Sequence, residues 1–305
     1  MRISVITPTY NRSNTLERVF HSLEQQTMKS FEWIIIDDGS IDNTKEVVSD
    51  FSKKAKFDIN YIWQENNGKH IAVNKGVSIA KGEFIAIADS DDVFLAESFE
   101  KLLSYWDSIP EEEKKEYRGV TCRCYDPLTM LPIGKEFKNN IYDMNGLDST
   151  YKYHNKFEMW GINRTSVMKE FPFPSIMGGA KSGLRFYPET VIWNNMGRKY
   201  KVRFVNDCLR GYYKDQSNAT TNKKQSRAKE NIYLWKHYIN DILDYFIYNP
   251  KLFIKAFIGL IMDGLLCKMK ITQIIALGKG KVRKLLITVF LPLGYMAYLY
   301  KKKTL

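Results

Sequence analysis

Two acidic runs and the residues around them hold the chemistry open to this chain. Asp89-Ser90-Asp91-Asp92 follows directly on Phe84-Ile85-Ala86-Ile87-Ala88, an apolar run with no turn residue before the acids. Alternate carboxylates with a small residue between them can converge on one hard divalent cation, Mg²⁺ or Mn²⁺. Such an ion prefers oxygen ligands and often completes its shell with phosphate oxygens. A phosphate ester is therefore the implied ligand, and acids that only cap the next helix are the plainer alternative. A second run, Asp37-Asp38-Gly39-Ser40, ends another apolar stretch, and Lys69 opens a helical segment after Asn66-Asn67-Gly68. Lys69 suits a contact to phosphate or a solvated surface charge equally well.

These residues need a scaffold, and the amino-terminal half supplies the pattern for one. Residues 2–7, 33–37, 56–63 and 84–88 read as strands, the continuous apolar ones buried on both faces of a parallel sheet. Between them, Leu16, Val19, Phe20 and Leu23 give one helical stripe, with Asn14 as its expected cap and Glu17 three residues on. Thr44, Val47, Val48 and Phe51 give a second stripe, and Ala72, Val73, Val77 and Ala80 a third. Strand and helix alternate four times, which predicts an α/β fold with right-handed crossovers. The loops 8–12, 37–40 and 89–92 each follow the carboxyl end of a strand, where open α/β sheets bind ligands. No glycine-rich phosphate loop is present, so a cation would have to neutralise phosphate there.

Taken in order, SVITPTYNR, IIIDDGSIDNT, NNGKHIAVNKGVSIAKGEFIAIADSDD and FYPETVIWNNM resemble a family 2 glycosyltransferase with the GT-A fold, over about residues 1–215. The resemblance implies a Rossmann-like, mostly parallel sheet flanked by helices, and an inverting enzyme that takes a sugar from a nucleotide-diphosphate donor, UDP above all. It places Pro8, Thr9, Asn11, Arg12, Asp38, Asn67, Lys69, Asn74, Asp89, Ser90 and Asp91 around the donor. Pro8 and Asp38 would hold the base, and Asp89 and Asp91 would meet ribose and metal. Glu189 falls where family members carry the general base, although its neighbour is Thr190 where many members have Asp. Direct displacement needs one carboxylate to accept the acceptor hydroxyl's proton. A glutamate in a first helical turn is also favoured by the helix dipole alone. Trp160, Trp193 and Tyr213, with Tyr212 and Asp215 beside the last, are expected on the acceptor side.

Composition bounds the rest. The chain has 305 residues, 44% of them apolar, and four cysteines with no zinc-like spacing, which suits reduced thiols in a cytosolic setting. Met1 and Arg2 lead straight into a strand, so no signal peptide is expected. Of the net charge of +12, nearly all lies beyond residue 250, where eleven basic residues meet one acid, Asp263. No nucleic-acid module accompanies it, and nucleic acid is not an expected partner. Residues 1–221 are expected to form the catalytic domain and residues 222–305 a helical, basic appendage. Its apolar run 285–300, broken by Pro292 and Gly294 and ended by three lysines, is short of a bilayer span. A helix pair lying on the cytoplasmic face of the inner membrane fits it, and a homo-oligomer contact is the other reading. The acceptor would be a glycan or lipid-linked. A non-catalytic nucleotide-sugar-binding protein and a nucleotidyltransferase are the alternatives.

Overall fold

A computed structural model describes residues 1–176, 184, 186–213 and 227–304. In chain order the amino-terminal half gives β1 (Ile3–Thr9), α1 (Ser13–Glu24), β2 (Phe31–Asp37), α2 (Thr44–Lys54), β3 (Asp58–Trp63), α3 (Lys69–Ile79) and β4 (Phe84–Ile87). β5 (Val93–Phe94), α4 (Ser98–Asp107), β6 (Tyr117–Tyr125), β7 (Ile141–Asn145), β8 (Met159–Arg164), α5 (Thr165–Glu170), α6 (Glu189–Lys199) and β9 (Lys201–Gly211) follow. Five helices close the chain: α7 (Ala228–Asp241), α8 (Pro250–Leu266), α9 (Ile271–Ala276), α10 (Gly280–Val289) and α11 (Leu291–Thr304).

One nine-stranded sheet runs in the order β3-β2-β1-β4-β8-β6-β9-β5, with β7 paired to β9. β1, β2, β3 and β4 pair in parallel, as their alternation with helices requires. β8 then enters antiparallel between β4 and β6 and extends the sheet. The first strands read as unbroken apolar runs because both faces are covered. Trp33 and Ile35 of β2 join Leu16, Phe20 and Phe51 on one side, while Ile34 and Ile36 join Ala72 and Val73 on the other. Such double burial is what a parallel sheet between two helical layers demands.

Two local expectations are corrected. Asn14 does not cap α1; Arg12 occupies that position, and its carbonyl accepts the Thr15 and Leu16 amides. Gly294 does not break its helix either. A Cβ there would lie 2.5 Å from the Ile261 side chain, so the bare glycine lets α11 close on α8. The break falls earlier, between α10 and α11, which meet at a bend of 53° with Pro292 in the first turn of α11. Among the described residues no single helix is long and apolar enough to cross a membrane, although this bent pair is, by length and composition.

Helices α7 to α11 bury a core of their own, built on Trp235, Ile239, Phe253, Phe257, Leu260 and Ile261, which also takes in Leu147 and Tyr151. Arg198, at the end of α6, donates to the Asp244 carboxylate and to the Asp241 carbonyl, fastening the appendage to the helix that Glu189 begins. The expected domain boundary, 221 to 222, lies outside the described residues.

Candidate functional site

Because β2, β1 and β4 are parallel neighbours, their carboxyl ends lie side by side, and the three loops after them are stitched together. The Asn11 amide donates to Ser40 Oγ at 2.8 Å, and the Ile41 amide to Asn11 Oδ1 at 2.9 Å. Asn11 holds a left-handed φ of 51°, which asparagine tolerates better than most residues. Gly39 has φ 90°, and its missing Cβ would come within 2.9 Å of the Asn66 amide. That approach brings the β3–α3 loop onto Asp38, whose carboxylate accepts the Asn67 amide at 3.0 Å, the Gly68 amide at 2.7 Å and the Gln64 side chain at 2.7 Å. Arg12 links this group to the loop after β4, 3.9 Å from Asp91 Oδ2. Pro8 and Thr9 end β1 beneath it, with the Thr9 hydroxyl buried and without a partner among the described residues.

The acidic loop is held from below by Arg210 of β9. Its guanidinium is 2.7 Å from Asp92 Oδ1 and 3.7 Å from Asp89 Oδ2, while Asp92 Oδ2 accepts the Asp89 amide at 2.8 Å. Burial pushes the Asp92 carboxyl up to about 7 against the pull of Arg210. Above it, Lys69 Nζ meets both Asp89 Oδ1 at 2.7 Å and Glu189 Oε1 at 2.8 Å. Burial opposes the charge on Asp89, yet Lys69, Arg210 and Arg12 outweigh it and hold that carboxyl below its ordinary range. Asp91 behaves the other way: burial and the Asp89 charge push it up, with Arg12 too distant to offset them.

This donor set suits a divalent ion only in company. Among the described residues no three of His, Cys, Asp and Glu gather as a metal cage. Asp91, whose ion pair among the described residues is the 3.9 Å contact to Arg12, has oxygens to give, and Asp89 stands two residues away. Mg²⁺ and Mn²⁺ are commonly held by one or two carboxylates together with phosphate oxygens, which matches such a pair.

A cavity of about 530 Å³ opens beside this cluster, lined by Lys69, Asp89, Glu189, Trp193 and Arg118 among others. Glu189 opens α6, and Trp193 follows one turn later on the same side. Other expected residues lie apart. Trp160 lines the cavity wall but is no stacking platform: its indole stacks on Phe94 at 4.6 Å, its N–H donates to the Ile87 carbonyl at 2.7 Å, and it is 6% exposed. Tyr213 lies under the Arg18 guanidinium, 4.5 Å from its ring centre, and is not among the residues lining this cavity. Asn74 spends its amide on the Phe173 backbone, donating at 2.8 Å and accepting at 2.9 Å. Asn67 is occupied in the loop, its side chain donating to the Glu65 carbonyl. Ser90 is buried between the two acids. Asp215 lies outside the described residues.

Sequence reasoning counted Asp92 in the acidic run without giving it a role of its own, and passed over Arg210 and Arg118. Their one signal is a charge inside or at the edge of an apolar stretch, as in the strand segments LRG and YRGV. Such residues are rarely buried unless they are paired.

The sequence model described as Glycosyl transferase family 2 matches residues 4–112. YibD of Escherichia coli (strain K12), an uncharacterized glycosyltransferase, is 33% identical over 264 residues, covering 78% of this chain and 68% of YibD. TuaG of Bacillus subtilis, a putative teichuronic acid biosynthesis glycosyltransferase, is 36% identical over 104 residues, covering 34% of this chain and 41% of TuaG. The chain spans between 17% and 41% of the length of the first curated relatives it matches. Among solved structures, S. aureus TarS 1-349 in complex with UDP-GlcNAc superposes with a TM-score of 0.60 at 18% identity, covering 100% of this chain and 92% of that one. At that identity the likeness is one of fold.

Proposed function

This chain belongs to glycosyltransferase family 2, and from that membership we propose that it is an inverting enzyme. It moves a sugar from a nucleoside-diphosphate donor, a uridine diphosphate sugar, to a hydroxyl of a glycan or lipid-linked acceptor in surface-polysaccharide synthesis. The UDP-GlcNAc held by TarS and the polymer in the name of TuaG support the donor and acceptor classes. The observation that carries the reading is the Lys69 bridge, which brings the Glu189 carboxylate to the edge of the acidic loop.

In this reading the acceptor oxygen attacks the anomeric carbon as the bond from that carbon to the diphosphate breaks on the opposite face. Glu189 takes the hydroxyl proton, and the diphosphate leaves with the bonding electron pair. Asp91 and Asp89 would hold a divalent ion, whose positive charge stabilises the departing diphosphate. Lys69 and Arg12 supply positive charge from the protein itself, while Asp38 keeps the loop over the base pocket in shape.

The test is Glu189→Gln, assayed for UDP release with a panel of UDP sugars and for UDP affinity by titration. The variant is expected to lose about 10²-fold or more in turnover and to keep its affinity for UDP. Near-normal turnover by the variant would move the base elsewhere. UDP binding with no turnover by the unaltered chain would make this a binding protein.

Attachment to the cytoplasmic face of the membrane belongs to the same proposal. Val282, Leu285 and Val289 of α10 and Met296 and Tyr300 of α11 are exposed apolar side chains, followed by Lys301, Lys302 and Lys303. Apolar residues edged by lysine favour an interface with anionic lipid.

A further inference from the structure

We propose that the cavity beside Glu189 contains an anion site centred on Arg118, which takes a carboxylate or phosphate carried by the acceptor; this rests on the glycosyltransferase reading above. Arg118 is 9% exposed, and among the described residues no acidic side chain pairs with it. Other buried arginines of this sheet are matched: Arg203 with Asp143 at 2.7 Å, Arg210 with Asp92 at 2.7 Å, and Arg123 with Glu136 at 3.2 Å. Arg118 instead donates through one Nη to Asn163 Oδ1, and its Nε finds no acceptor among the described residues. Burial lowers its pKa only to about 10, so it remains a cation at neutral pH. A buried charge without a counter-ion is costly, and an entering anion would recover that cost.

The backbone aims this side chain on purpose. Tyr117 pairs with Lys201 and Gly119 with Val202, so the β6–β9 register slips by one residue at Arg118. Such a bulge turns its extra residue out of the ladder and is common beside binding sites. The guanidinium comes to rest 5.4 Å from the centre of the Trp193 ring, on the wall of the same cavity that Glu189 lines. Trp193 follows Glu189 by one helical turn, a rise of roughly 6 Å, about the breadth of a sugar ring. An acceptor residue whose hydroxyl meets Glu189 can therefore present a charged substituent to Arg118.

The acids that line the cavity do not compete for Arg118, and its further cation, Lys156, is exposed. Glu189 and Asp89 share Lys69, and Glu158 is 3.2 Å from Arg210. Arg12 and Asp91 do not line this cavity, whereas Lys69 and Asp89 do, so the donor's own phosphates are separated from the acceptor's anion by saturating the chain with UDP in the test below.

The test is calorimetric titration of the full chain, saturated with UDP, against methyl glucuronide, glucose 6-phosphate and neutral methyl glucoside. The charged probes are expected to bind about tenfold or more tightly than the neutral one. The better of the two identifies carboxylate or phosphate as the recognised group. Arg118→Met should erase the preference, and Arg118→Lys should restore part of it. Equal affinity for charged and neutral probes, no binding of any probe to the UDP-bound chain, or a preference that survives Arg118→Met would overturn the site. Should Arg118→Met fail to fold, the comparison of probes on the unaltered chain decides. Failure of the chain to bind UDP at all would instead remove the donor reading, and this proposal with it.

Discussion

Lys69 Nζ stands between two carboxylates, 2.7 Å from Asp89 Oδ1 and 2.8 Å from Glu189 Oε1. Burial works against an ammonium there, but the two acids outweigh it and hold the Lys69 pKa above its ordinary value. One cation thus holds two carboxylates from distant parts of the chain at one place. It also joins the start of α3, the end of β4 and the start of α6, elements far apart in the chain. The bridge fixes where the Glu189 carboxylate sits relative to the acidic loop.

Lys69→Met removes the shared cation and leaves Asp89 facing Glu189. Loss of a positioned charge at a developing anion typically costs about 10²-fold in turnover, and the expected loss is of that order. Initial rates of UDP release at saturating donor check it. A fall of less than about threefold would assign Lys69 a surface role.

Arg210 and Asp92 form the foundation under the acidic loop. Asp92 is 2% exposed and accepts from both the Arg210 guanidinium and the Asp89 amide. Asp92→Ala strips both contacts and leaves Arg210 buried with a longer contact to Asp89, for an expected cost of ~3 kcal/mol in urea unfolding. Asp92→Asn retains an oxygen for the Asp89 amide and should cost less. Equal losses in the two variants would mean that the charge, and not the amide contact, sets the loop.

The sheet edge that carries the acidic loop was legible because its signals are local. Unbroken apolar runs ended by acids mark strands buried on both faces, so loops 8–12, 37–40 and 89–92 could be placed at one edge before any coordinates. Lys69 was legible as the first residue of a helix on that edge. The cavity wall around Trp160 and Arg118 was not, because its residues are defined by distant partners. Nothing near Trp160 in sequence tells that Phe94 will cover its ring, and nothing near Arg210 names Asp92. Arg118 depends on a slip in strand register, which periodicity does not encode. Asn14 misled for a simpler reason: the cap position falls two residues earlier, where the β1–α1 loop is tied down by Asn11.

Asp241 gives the appendage a pH dependence. Burial would raise its carboxyl, but hydrogen bonds from His237 and Lys279 overcome this and hold it down to about 2. An unfolded aspartate titrates near ~3.9. The native value is the lower one, so this stabilisation is present above about pH 4 and is lost as pH falls from there toward 2. The side chain is 37% exposed, and solvent screening discounts the effect to about 1 kcal/mol. Asp241→Asn should therefore be less stable than the unaltered chain at pH 7 by about that much, with the gap closing near pH 2. A gap that widens on acidification in thermal melts would reverse the assignment.

The membrane proposal rests on charge as well as on apolar surface, and the two can be separated. Lys301, Lys302 and Lys303 end α11 exposed to solvent and make no ion pair among the described residues, although Lys301 lies near enough to Asp263 of α8 to favour its charged form. Converting Lys301 to glutamine and Lys302 and Lys303 to glutamate should leave the fold intact while removing the attraction to anionic lipid, each lysine being worth about 1 kcal/mol near a charged surface. Sedimentation with phosphatidylglycerol vesicles is expected to fall at least tenfold for the triple variant, and binding by the unaltered chain should weaken as salt rises, since screening shortens the reach of these charges. Neutral phosphatidylcholine vesicles should recover little of either protein. If the triple variant sediments with anionic vesicles as well as the unaltered chain does, the exposed face of α10 and α11 belongs to a protein contact, and the chain's state of association in solution would then depend on Leu285 and Val289.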